Sequence, residues 1–154
     1  MSESELDHPE VVATLNRILE AELAGVVRYT HYSLMIFGHN RIPIVSWLRD
    51  QANESLAHAQ EAGEMITLLG DHPSLAIGRL LETHKHNVRD ILLESLEVER
   101  EGLKHYQRLL ELSRDKSVLL EEYSRKMIYQ EVLHCSEVDK MLRTPGEVKA
   151  FGGQ

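Results

Sequence analysis

Apolar residues recur along this chain at spacings of three and four, with no sustained strand-like alternation and no Asn-Gly or Asp-Gly hairpin turn. The pattern predicts an all-α protein of four long helices. The first covers about 8–37, with Asp7 as N-cap, Pro9 in the first turn and Glu10 completing a capping box, and Gly38-His39-Asn40 stops it. The second, about 43–69, has Pro43 in its first turn and ends at Gly70, with Pro73 just beyond. The third covers about 83–113 and the fourth about 118–143, separated by the polar break Arg114 to Ser117 and closed by Thr144-Pro145-Gly146. The tail, 144–154, is too short and Gly-rich for more than a turn or two.

Helices of this length reach about 40 Å at 1.5 Å per residue, which suits a four-helix bundle better than a compact globin-like packing. Short links make the first and second helices antiparallel neighbours, and likewise the third and fourth. Between the second and third, Asp71 to Glu82 is long enough, at about 3.3 Å per residue, to span a helix length as a crossover. The other reading of that segment is an earlier start to the third helix.

The polar residues on the buried stripes carry the chemistry. The first stripe reads Leu15, Ile18, Leu19, Glu22, Val26, Tyr29, with a carboxylate where a leucine belongs. The second reads Ile44, Leu48, Gln51, Ser55, His58, Ala62, Met65, Leu69; the third Val88, Ile91, Ser95, Glu99, Gly102, Tyr106, Leu109; the fourth Leu120, Ser124, Met127, Glu131, His134, Val138, Leu142. Each helix thus places a carboxylate or a histidine midway along its core face. Burying an unpartnered carboxylate costs several kcal/mol, so Glu22, His58, Glu99, Glu131 and His134 require a common partner. Bound cations supply one. Glu131 and His134, three residues apart, reach a shared centre from one helix face, and a mixed carboxylate and imidazole set suits iron.

Composition narrows the rest. The 154 residues form one domain, 1–154, large enough for a single core. With 25 acidic and 17 basic residues the net charge is −8, which argues against nucleic acid or an anionic membrane as a partner. One cysteine, Cys135, allows no internal disulfide, the N-terminal MSESELDHPE lacks an apolar signal-like run, and no segment is apolar enough to span a membrane; a cytoplasmic location is expected. Glu94, Glu97 and Glu101, beside Arg100 and Lys104, read as a solvated face, as do His39, His72, His84 and His86.

Glu22-Leu23 with Tyr29 seven residues on, His58-Ala59, Glu101-Gly102-x-Lys104 just after Glu99, and Glu131-x-x-His134 together resemble the ferritin-like superfamily, most closely bacterioferritin, over about 8–143. Glu22 to His58 is 36 residues and Glu99 to His134 is 35, so the chain reads as two related helical hairpins, as in that superfamily. The resemblance implies a di-iron centre with Glu22 and Glu99 as terminal carboxylates, Glu131 as a bridge, His58 and His134 as nitrogen ligands, and Tyr29 just behind them. It also implies a homo-oligomeric shell of twenty-four subunits, alone or mixed with a homologue, that oxidises Fe²⁺ with O₂ or peroxide and stores the ferric mineral.

Two positions depart from the pattern. Ser55 stands where the family has a second bridging glutamate. Glu54, roughly 40° round the helix from His58, either substitutes as a metal ligand, or leaves five protein ligands and water, or leaves a site that binds one metal well and a second poorly. Leu56 stands where bacterioferritin has its haem-ligating methionine, so haem is not expected. The runner-up reading is a non-catalytic shell subunit with a degenerate site. A rubrerythrin-like peroxidase expects a Cys-x-x-Cys module, and a DNA-protecting miniature shell expects a basic arm; this chain has neither.

Overall fold

In the computed structural model, which describes residues 5–152, four helices account for nearly all regular structure: α1 (His8–Met35), α2 (Arg41–Leu68), α3 (Val88–Ser113) and α4 (Val118–Leu142). No strand occurs among the described residues. The domain reading of 1–154 and the reading of the N-terminal segment extend to residues 1–4 and 153–154, which lie outside the described residues.

The boundaries follow local chemistry. The Asp7 carboxylate accepts a hydrogen bond from Glu10 N–H at 3.3 Å, while the Glu10 side chain turns outward to Arg17 instead of closing the capping box. Gly70, at φ 82°, ends α2 in the left-handed region glycine favours; Gly70 N–H donates to Thr67 O and Asp71 N–H to Ile66 O, satisfying the last carbonyls. The third helix begins at Val88, five residues later than the periodicity predicts. Asn87 explains the difference: its side chain accepts from Arg89 and Asp90 N–H, and residues before it are extended or turned, with His84 at φ 48°.

Residues 69–87 therefore form a crossover longer than the expected 71–82. It leaves α2 near the start of α1, where His8 faces Asp71, and arrives at the end of α1, where His86 meets Met35 O and His31 meets His84. Ser74 N–H to Asn16 Oδ1 and Gly78 N–H to Glu20 O pin it along α1. Consequently α2 and α3 run parallel, and each is antiparallel to α1.

Two of the three apolar clusters lie at the ends of the bundle, and the third, Leu92, Leu96, Val138 and Leu142, joins α3 to α4. Leu15, Ile18, Ala62, Ile66, Leu109 and Met127 belong to one end cluster; Tyr29, Tyr32, Ile36, Leu48 and Ile91 to the other. α1 packs closely on α2 and on α3, and α3 on α4, whereas α2 and α4 make no close backbone approach. The polar midsection of the stripes lies between the two end clusters and opens toward that looser α2–α4 seam.

Two glycine substitutions test this packing. A Cβ at Gly78 would stand 3.0 Å from Glu20 O and 3.3 Å from Ala21 Cα, so Gly78→Val is expected to destabilise by about 1–3 kcal/mol. Gly63, inside α2 with no neighbour within 4 Å, is the converse case, and Gly63→Ala is expected to stabilise by roughly 0.5–1 kcal/mol. Thermal melts of the two variants should move in opposite directions; a common direction would contradict the docked crossover.

Candidate metal centre

At mid-bundle, one ligand atom each from Glu22, His58 and Glu131 lies within 4.8 Å of the other two. These residues come from α1, α2 and α4. An ion with bonds near 2.0–2.2 Å could be enclosed by small side-chain movements. Glu22 Oε2 is 3.6 Å from His58 Nδ1, and its Oε1 accepts from the Tyr106 hydroxyl at 2.9 Å. Glu131 is 4% exposed, and its Oε1 has no hydrogen-bond partner. A buried carboxylate with one orphaned oxygen, beside a second carboxylate and an imidazole, fits a bound cation.

Glu99 and His134 are close by but otherwise engaged. Glu99 Oε1 accepts from Arg28 Nη2 at 2.9 Å and from the Tyr29 hydroxyl at 2.8 Å. His134 Nε2 lies 3.0 Å from the same hydroxyl and 3.9 Å from Glu99, and its ring stacks on Trp47 with 9° between planes. Glu54 stays at the rim, half exposed, with Oε1 3.8 Å from His58 Nε2, the ring nitrogen other than the one facing Glu22. It does not join the three converging groups. Ser55 is buried against α1, and Leu56 is exposed on the outer side of α2.

Electrostatics follow from this arrangement. Burial pushes the Glu131 pKa well up, and the neighbouring Glu99 charge pushes the same way. Burial also opposes ionisation of Glu99, but a hydrogen bond with Glu131, the Arg28 charge and His134 outweigh it and hold its pKa low. Within the pair Glu99 is therefore the more acidic group and Glu131 the less acidic. Burial disfavours a charged His58, yet the hydrogen bond and charge of Glu22, with Glu54 and Glu61 behind, prevail and raise its pKa.

Arg28 is the residue the sequence stripes did not single out. It is buried, donates to Ser95 Oγ at 3.3 Å as well as to Glu99, and lies over the Tyr29 ring at 4.4 Å. Burial alone would weaken its charge, but Tyr29 and Glu99 more than compensate and raise its pKa. The available signal was Ser95 and Glu99, four residues apart on one face of the third helix and together a natural seat for a guanidinium. Glu94 likewise leaves the expected solvated face, accepting from Tyr32 and Thr83 at 2.7 Å each, whereas Glu101 and Lys104 do form an exposed pair. Cys135 is a free thiol that burial pushes up to about 11.

Residues 12–145 match the Ferritin family, a ferritin-like domain, and the chain belongs to that family. No curated protein matches it. Among solved structures it is similar to a ferritin-like, diiron-carboxylate protein from Bacillus anthracis str. Ames, at 25% identity and TM-score 0.83, covering 89% of this chain and 98% of the other. A bacterioferritin from Rhodobacter capsulatus, with a metal-free dinuclear site and haem iron, superposes at TM-score 0.76 and 18% identity over 87% and 84%. A dodecameric thioferritin from Bacteroides fragilis, a bacterioferritin-related protein, does so at 0.78 and 19% over 90% and 88%. The four-helix ferritin-like fold expected from the sequence is thus the fold of this chain.

Because the pKa values of Glu131 and His58 are raised in the metal-free protein, protons compete with a divalent cation at these two ligands. Co²⁺ affinity is expected to rise with pH through neutrality. Calorimetric titration in two buffers of different ionisation enthalpy should reveal proton release; identical heats in both would contradict the assignment. Without metal, the sign for stability is opposite: Glu131, with its pKa raised, contributes stability below the ordinary carboxylate range that is lost as pH rises.

Proposed function

We propose that this protein takes Fe²⁺ at the mid-bundle site and oxidises it to Fe³⁺, as the entry step to iron storage in an oligomeric shell. The observation that carries this reading is the convergence of Glu22, His58 and Glu131, the last with an orphaned Oε1, inside a ferritin-like bundle. Iron is the substrate. The carboxylates stabilise the product because their charge favours Fe³⁺ over Fe²⁺, and O₂ or peroxide accepts the electron.

The remaining residues act on that iron indirectly. Tyr106 orients Glu22, and Glu54, at the solvent side, faces the outer nitrogen of His58. Glu99, His134 and Tyr29 form a connected hydrogen-bonded group beside the triad. Leu56 offers no donor atom to haem. Exposed Tyr129, Val132 and Leu133 on α4 form an apolar strip suited to subunit contact, in keeping with self-assembly. The described helices include none long and apolar enough to cross a membrane, and a cytoplasmic shell is the setting we infer.

A second reading is a storage subunit with weak oxidation of its own. Ser55, with its hydroxyl at the expected place of a carboxylate, and the Arg28–Glu99 ion pair favour it. Stopped-flow oxidation of Fe²⁺ separates the two. Under the leading reading Glu131→Ala slows the fast phase by roughly 10–100-fold. An unchanged fast phase in that variant would overturn it, and a wild-type protein with only slow oxidation would favour the storage subunit.

A further inference from the structure

We propose that Arg28 is a built-in cation standing in for a second metal ion, so that this chain's buried site holds one divalent cation, among Glu22, His58 and Glu131. The inference rests on the reading of that site as iron-binding and specifies its capacity.

The donor groups divide into two halves. In one half, Glu22, His58 and Glu131 converge with no arginine or lysine among them, and Glu131 Oε1 is without a partner. In the other, Glu99 is already neutralised by the guanidinium at 2.9 Å, and the Tyr29 hydroxyl serves both Glu99 and His134. Arg28 is fixed there by Ser95 Oγ and by the rings of Tyr29 and Tyr32, at 4.4 and 5.7 Å. A flexible surface arginine would not be held by four groups from two helices.

The missing carboxylate and the added guanidinium occupy one neighbourhood. A Cβ at Gly25 would stand 2.9 Å from Ser55 Oγ and 4.0 Å from Arg28 Nη2, so both side chains lie against the same point of α1. Charge agrees with geometry. Three buried carboxylates, Glu22, Glu99 and Glu131, less one guanidinium leave two negative charges when fully ionised, which one divalent ion neutralises. A second divalent ion beside Arg28 would meet a fixed positive charge with no free carboxylate to offset it.

The test is metal content. Apo-protein is incubated with Co²⁺, passed through gel filtration, and its tightly bound cobalt per chain measured by mass spectrometry. Wild type is expected to retain one ion, as is Arg28→Lys, which keeps the charge. The double variant Arg28→Gln/Ser55→Glu, checked for helicity by circular dichroism, is expected to retain two. Two ions in wild type would overturn the proposal while leaving the iron-binding reading intact; none would overturn both. A folded double variant that stays at one ion would remove Arg28 from this role, and if that variant does not fold the wild-type count decides.

Discussion

Three carboxylates, Glu22, Glu99 and Glu131, converge inside a bundle where water cannot fully screen them, and the surrounding residues are arranged around that repulsion. Each uncompensated buried charge costs several kcal/mol. The chain meets the cost in two different ways. Glu99 receives a permanent counter-charge from Arg28 and a hydroxyl from Tyr29. Glu131 instead has a pKa pushed up by burial and one oxygen without a hydrogen-bond partner, a need that a metal ion can meet. The site is therefore half satisfied by protein and half left to a ligand.

The fold supplies the conditions for this division. Apolar clusters above and below the midsection make the bundle stable without the polar band, so the band can remain under-satisfied. Close packing of α1 on α3 brings Arg28 and Tyr29 onto Ser95 and Glu99. The looser seam between α2 and α4 leaves His58, Glu131 and His134 beside a cleft reached past Glu54. The long crossover, pinned to α1 through Gly78, makes α2 and α3 parallel and so lets donors from all four helices meet at one level.

Much of this was legible in the sequence because the relevant signals are periodic. Helix number and the polar residues on each stripe follow from three- and four-residue spacing, the length of Asp71 to Glu82 allowed a crossover beside an earlier start to the third helix, and Gly70 ended its helix as expected. The start of α3 was misplaced because Thr83 to Asn87 carries no helix-breaking residue; only the Asn87 cap and the His84 turn stop it. Arg28 escaped notice because an arginine next to a stripe reads by default as surface. Its burial depends on Ser95 and Glu99, about 70 residues away, and a pairing across helices has no local signature. Glu54 lies beside His58, as periodicity places it, but stays half in solvent and outside the converging set of Glu22, His58 and Glu131.

Compared with a symmetric pair of metal-binding hairpins, this chain has kept the spacing of both and altered the chemistry of one. The two halves of the site differ in where a cation sits. A crystal soaked anaerobically in Fe²⁺, with anomalous scattering recorded at the iron edge, measures that directly. A single strong peak per chain is expected among Glu22, His58 and Glu131, with Arg28 still on Glu99. A peak between Glu99 and His134, with Arg28 displaced, would contradict it.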